Sequence, residues 1–110
     1  MGSIKEAVYD EKHVVLAEML KALGHPARLA IVEFLLETST CMCGDIVDYL
    51  PLSQATVSQH LKALKVAGIL QGTIEGNRIC YCLNPDALEG VMSYLTPLNK
   101  QLSRINKNCC

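Results

Sequence analysis

Leu52-Ser53-Gln54-Ala55-Thr56-Val57-Ser58-Gln59-His60-Leu61-Lys62-Ala63-Leu64 is the stretch whose reading decides the fold of this chain. Val57, Leu61 and Leu64 recur at i, i+4 and i+7, so winding the segment as a helix lines them up as one apolar stripe. Ala55, Ser58, Gln59 and Lys62 fall within roughly 100° of one another on the other side, a face without bulky hydrophobes that fits a DNA major groove. Ser53 is a good N-cap, and Leu50-Pro51-Leu52 ends whatever helix comes before. Two short helices joined by a tight turn make a helix-turn-helix. An amphipathic surface helix in any small helical domain carries the same stripe, so the neighbouring segments have to decide.

Those neighbours agree. Thr38 to Cys43 is polar and β-prone, a short strand, and Gly44 to Leu50 has the helical pattern Ile46, Val47, Leu50 of a leading helix. Ala67-Gly68 is a helix stop. Ile69 to Ile74 and Arg78 to Leu83 then flank Glu75-Gly76-Asn77, a hairpin with glycine in the bend. A hairpin directly after a helix-turn-helix is a wing, here expected over 69–83, which lays Asn77 and Arg78 along a sugar-phosphate backbone.

Farther out, residues 4–23 form an expected first helix, with Val8, Val15, Met19 and Leu23 near one face and Leu16 and Leu20 beside it. Gly24 ends it and His25-Pro26 restarts the chain, after which Ala27 to Glu37 carries Leu29, Val32, Leu35 and Leu36 inward. Arg28 is either a solvated or loop-bonded charge or a phosphate contact. His60 falls on the flank of the buried stripe, a place for packing and hydrogen bonding. Asn84-Pro85-Asp86 opens the last helix, expected over 86–105, where Leu88, Val91, Leu95, Leu98, Leu102 and Ile105 make a heptad seam that one helix cannot bury alone. Pro97 inside the seam predicts a kink or break. Seam and first helix together are the expected dimer interface, and a two-fold dimer sets two reading helices about one DNA turn apart. Asn106 to Cys110 reads as a mobile tail.

The fold class is therefore mainly α with a small β-hairpin wing, in one domain spanning 1–110. Half of the 110 residues are apolar, enough for a core. No apolar run nears the roughly 20 residues of a membrane span, and the start Met1-Gly2-Ser3-Ile4-Lys5-Glu6 is not a leader pattern, so a cytoplasmic protein is expected. A net charge of −1 argues against coating nucleic acid by bulk charge, while Lys62, Lys65 and Arg78 against Glu75 leave 51–78 locally positive. DNA contact is then local, with Gln54, Ser58, Gln59 and Lys62 on bases or groove, Thr56 near the N-terminal edge and Arg78 on phosphate. Enzyme chemistry is not indicated: there is no phosphate-binding glycine loop, no paired-carboxylate pattern, and no histidine spaced to activate a cysteine.

The strings Leu20-Lys21-Ala22-Leu23-Gly24-His25-Pro26-Ala27-Arg28-Leu29 and Ser53-Gln54-Ala55-Thr56-Val57-Ser58-Gln59-His60-Leu61, with the hairpin Glu75 to Leu83, resemble the ArsR/SmtB family of winged helix-turn-helix repressors. The resemblance covers about 15–95. It implies a homodimer that sits on double-stranded operator DNA and leaves when a metal or metalloid ion binds, with no organic cofactor. Cys41-Met42-Cys43 resembles the Cys-x-Cys of arsenic- and cadmium-sensing members. Their third thiol, three residues on, is replaced by Ile46, and the acidic and histidine ligands that zinc-sensing members carry on the last helix have no counterpart, since the histidines are His13, His25 and His60.

The six cysteines come as three close pairs: Cys41 with Cys43, Cys80 with Cys82, and Cys109 with Cys110. In a reducing compartment such pairs bind metal or sense redox state more often than they form a disulfide framework. In Ile79-Cys80-Tyr81-Cys82-Leu83 strand alternation sends 79, 81 and 83 toward the core and both thiols to the other side, and the same rule buries Met42 and turns Cys41 and Cys43 out. Winged-helix folds, as the resemblance implies, pair the short strand with the second wing strand. Cys41, Cys43, Cys80 and Cys82 are then the candidate ligands of a thiophilic ion, As(III) or Sb(III) with three sulfurs, or Cd, Pb or Zn with three or four. Redox or sulfide sensing by the same thiols, and a dimer with permanent structural zinc, are the competing readings.

Overall fold

Local signals set the boundary of each helix in the computed structural model, which describes residues 10–38, 41–43, 51–75, 78–105 and 108. Helix α1 runs Glu11–Leu23, and Asp10 caps it by accepting the Lys12 and His13 amide N–H groups at 3.0 and 3.3 Å while its own N–H donates to the His13 ring at 3.0 Å. The helix expected over 4–23 is interrupted at Asp10, which is extended (φ −120°, ψ −171°), so α1 starts at Glu11; residues 4–9, Val8 among them, lie outside the described residues. The His13 amide, foremost, holds the Asp10 carboxyl below its ordinary value.

Helix α2, Pro26–Glu37, opens on Pro26 with the His25 ring accepting the Ala27 N–H at 3.0 Å. Strand β1 is Cys41–Cys43, helix α3 Gln54–Val66, strands β2 and β3 Leu70–Glu75 and Arg78–Leu83, and helix α4 Pro85–Leu102. The leading helix expected over 44–50 lies outside the described residues, as do Gly76-Asn77 and most of the tail. The three strands form one antiparallel sheet in the order β1-β3-β2. Gly68, at φ 85°, turns the chain from α3 into the wing. At the wing's base Asn84 donates its backbone N–H to the Ile69 carbonyl at 2.9 Å and its side-chain amide to the Gly68 carbonyl at 3.0 Å.

The core is built by Ile31, Val32 and Leu35 of α2, Val57, Leu61 and Leu64 of α3, and Ile69, Leu70 and Leu83 at the wing's base. Two expectations for α2 are corrected. Leu29 and Leu36 are 49% and 57% exposed, and the unassigned Ile31 is fully buried. The inward face runs 28, 31, 32, 35, and an apolar residue on either side of it looks the same in a sequence. Helix α4 passes through Pro97 without a break and ends at Leu102. Proline removes only one i→i−4 bond, and the Thr96 hydroxyl donates to the Met92 carbonyl at 2.8 Å in that turn. Of the heptad seam, Val91 is buried and Leu88 packs on the core, while Leu95, Leu98, Leu102 and Ile105 stay exposed, as do Val14 and Val15 of α1. No helix among the described residues is long and apolar enough to cross a membrane.

Candidate functional site

The reading helix α3 is fixed from its inner side. Val57 and Leu64 are fully buried and Leu61 nearly so, which leaves Ser58, Gln59 and Lys62 exposed on the other side, with Gln54 exposed as the first residue of the helix. Ser53 caps the helix by accepting the Thr56 N–H at 3.2 Å and donates its hydroxyl to the Thr56 hydroxyl oxygen at 2.9 Å, so Thr56 serves the cap and is half-buried. Arg78 opens β3 at the wing's tip, and Asn77 beside it lies outside the described residues. The end of the exposed Lys65 side chain lies over Gly72 of β2, where a Cβ would meet it at 3.2 to 3.5 Å.

Sequence reasoning left Arg28 open, and the structure gives it a partner 32 residues away. Its Nε–H donates to His60 Nδ1 at 3.1 Å and Nη1 donates to the Ala22 carbonyl at 3.1 Å. The His25 ring lies against His60, centroids 4.4 Å apart. One guanidinium thus ties the end of α1, the start of α2 and the reading helix together, and His60 has the packing and hydrogen-bonding role expected of it. Burial holds the His60 imidazole below its ordinary value, with His25 and Arg28 pushing the same way. The folded chain therefore prefers neutral His60, while the unfolded chain binds the proton from about pH 6.5 downward. Stability present above pH 6.5 is lost as pH falls through the lowered value. The urea midpoint should drop between pH 7.5 and 5.5, and more steeply than in His60→Asn, whose Oδ1 accepts from Arg28 without titrating; equal slopes would remove His60 from the account.

The thiols meet as strand alternation and antiparallel pairing require. In β1 against β3 the register pairs Cys41 with Cys82, Met42 with Tyr81, and Cys43 with Cys80. Met42 and Tyr81 pack on the core and Leu83 is part of it. Ile79, near the wing's tip, departs from the expected pattern at 48% exposed, and Cys80 is only 2% exposed instead of facing open solvent. The larger departure is chemical. Cys41 and Cys82, Cα atoms 4.0 Å apart, are joined in a disulfide, and Cys80 is disulfide-bonded as well. In this state no three His, Cys, Asp or Glu side chains among the described residues are arranged to hold an ion. The donor set fits a thiophilic ion only after reduction, which restores thiolates on neighbouring strands. The side chain of Cys43, and both Cys109 and Cys110, lie outside the described residues.

The comparisons with known proteins fit this architecture. The family described as "Bacterial regulatory protein, arsR family" matches residues 25–71, from the His25 cap to the first wing strand. An HTH-type transcriptional regulator of Methanocaldococcus jannaschii is 38% identical over 89 residues, covering 80% of this chain and 99% of that one. An arsenical resistance operon repressor of Staphylococcus xylosus is 32% identical over 84 residues, 76% of this chain and 80% of that one. An ArsR-like transcriptional regulator from Rhodococcus has the same fold, with a TM-score of 0.70 at 21% identity over 86% of this chain and 89% of that one. With its capped reading helix, its wing and these relatives, the chain belongs to the ArsR/SmtB family of DNA-binding transcriptional repressors, which are regulators and not enzymes.

Proposed function

We propose that this chain is a homodimeric cytoplasmic repressor that releases its operator when reduced Cys41, Cys43, Cys80 and Cys82 capture a thiophilic ion, foremost As(III) or Sb(III), with Cd, Pb or Zn as the alternatives. The observation that carries the reading is the register Cys41↔Cys82 and Cys43↔Cys80, which gathers the four residues on two neighbouring strands. Three thiolates satisfy a trivalent metalloid and three or four a divalent soft cation. The similarity to an arsenical resistance operon repressor supports the same choice of ion.

Gln54, Ser58, Gln59 and Lys62 contact bases and groove, with Thr56 at the helix's N-terminal edge and Arg78 on phosphate. Dimerisation uses α1 and α4, whose exposed Val14, Val15, Leu95, Leu98 and Leu102 supply an apolar face. The sulfurs act on the reading unit because β1 leads into it and β3 is its wing. Drawing them round an ion changes how β1 lies on β3, which takes α3 out of groove register. A coupling of about 1–3 kcal/mol lowers DNA affinity about 5- to 150-fold.

The test is anaerobic titration of reduced protein with arsenite, cadmium and zinc, following thiolate absorption and operator release together. Wild type should release. Cys41→Ser/Cys82→Ser and Cys43→Ser/Cys80→Ser, each left with two of the four thiols, should stay on the operator, and a variant lacking Cys109 and Cys110 should behave as wild type. Undiminished release in both serine variants would overturn the reading.

A further inference from the structure

We propose that the Cys41–Cys82 bond is a reversible modification that gates this sensor: a low-molecular-weight disulfide closes it, and the closed protein keeps its operator and ignores the ion. The inference rests on the ion-release reading above, whose sulfurs it uses. Four observations carry it. Cys41 and Cys82 are already bonded, with their Cα atoms 4.0 Å apart across a formed strand pair. Cys41 is exposed and Cys82 half-buried, so a small reagent reaches the first and the second follows from across the ladder. Cys80 is buried and also oxidised. The hydrogen bond from Arg28 that positions the reading helix involves none of these sulfurs.

The chemistry is two exchanges. The Cys41 thiolate attacks one sulfur of R–S–S–R, a Cys41–S–S–R bond forms, and the first R–S⁻ leaves. The Cys82 thiolate then attacks the Cys41 sulfur, the Cys41–Cys82 bond forms and the second R–S⁻ leaves. Two cysteine thiols have been oxidised and one small disulfide reduced to two thiols, which carry off the two protons. The partners are opposite residues of an existing antiparallel pair, so closing the bond demands no new register and leaves α3 where it was. The ion ligand is the thiolate, and a disulfide sulfur carries no such charge. Closure therefore removes two of the four donors, and with Cys80 bonded as well, by the same pair of exchanges with a second small disulfide, too few thiolates remain for a three-sulfur ion.

The experiment uses the 110-residue wild-type chain. Reduced protein is treated with oxidised glutathione, alkylated with iodoacetamide and digested, and mass spectrometry locates the linked cysteines. Operator affinity is measured by fluorescence anisotropy with and without arsenite, before oxidation, after it, and after re-reduction. The expected result is a linked 41–82 peptide, operator affinity within about twofold of the reduced protein, no response to arsenite while oxidised, and return on reduction of the about 5- to 150-fold response. Absence of the 41–82 link, arsenite-driven release from the oxidised protein, or release on oxidation alone would each overturn the gate while the ion reading stands. Reduced protein that arsenite fails to release from the operator would overturn the ion reading, and the gate with it.

Discussion

Truncating Leu64 to alanine should lower the unfolding free energy by about 2–5 kcal/mol, the range for removing a fully buried leucine whose site cannot collapse. Leu64 is fully buried on the inner face of α3, in one cluster with Ile31, Leu35, Val57 and Ile69. That cluster joins α2, α3 and the wing's base, so no single element can shift to fill the space. In a domain of this size each kcal/mol moves the melting temperature by about 4–8 °C. Val66→Ala, two residues along the same helix, should stay within about 0.5 kcal/mol because Val66 is largely exposed. Urea denaturation of both variants checks the pair, and a Leu64→Ala loss below about 1 kcal/mol would mean that α3 is held elsewhere.

If the proposed dimer forms through α4, replacing Leu98 and Leu102 together by glutamate should convert it to monomers and weaken operator binding by about 100-fold or more, since each half-site is then bound alone. The two residues lie four apart on α4 and are 41% and 59% exposed, so within one chain they cover little of the core. Their substitution should leave the far-ultraviolet circular dichroism unchanged. Across a two-fold axis four carboxylates replace four isobutyl groups, and apolar burial turns into like-charge repulsion. Sedimentation velocity gives the answer, and an undisturbed dimer would place the interface away from α4.

What the sequence revealed depended on how local the cause was. Ser53, Gly68 and the proline-opened helices act within a turn of themselves, and the structure bears them out. The phase of α2 is hidden because Leu29, Ile31, Val32, Leu35 and Leu36 are all apolar and only the neighbouring elements choose among them. The Asp10 cap is hidden by an apolar pattern on both sides of it. The Arg28–His60 bond joins residues 32 apart, a distance at which no periodicity speaks. Strand alternation and the family's strand pairing together put the cysteines on facing strands, but the pattern is the same for thiols and for disulfides.

Asn84 has a mechanical consequence. By holding the Gly68 and Ile69 carbonyls from the far end of the hairpin, it stitches the root of the wing to the first turn of α4. A pull on the sheet's outer edge is then passed through that root into the long helix, and in the proposed dimer toward the second copy as well as toward the operator.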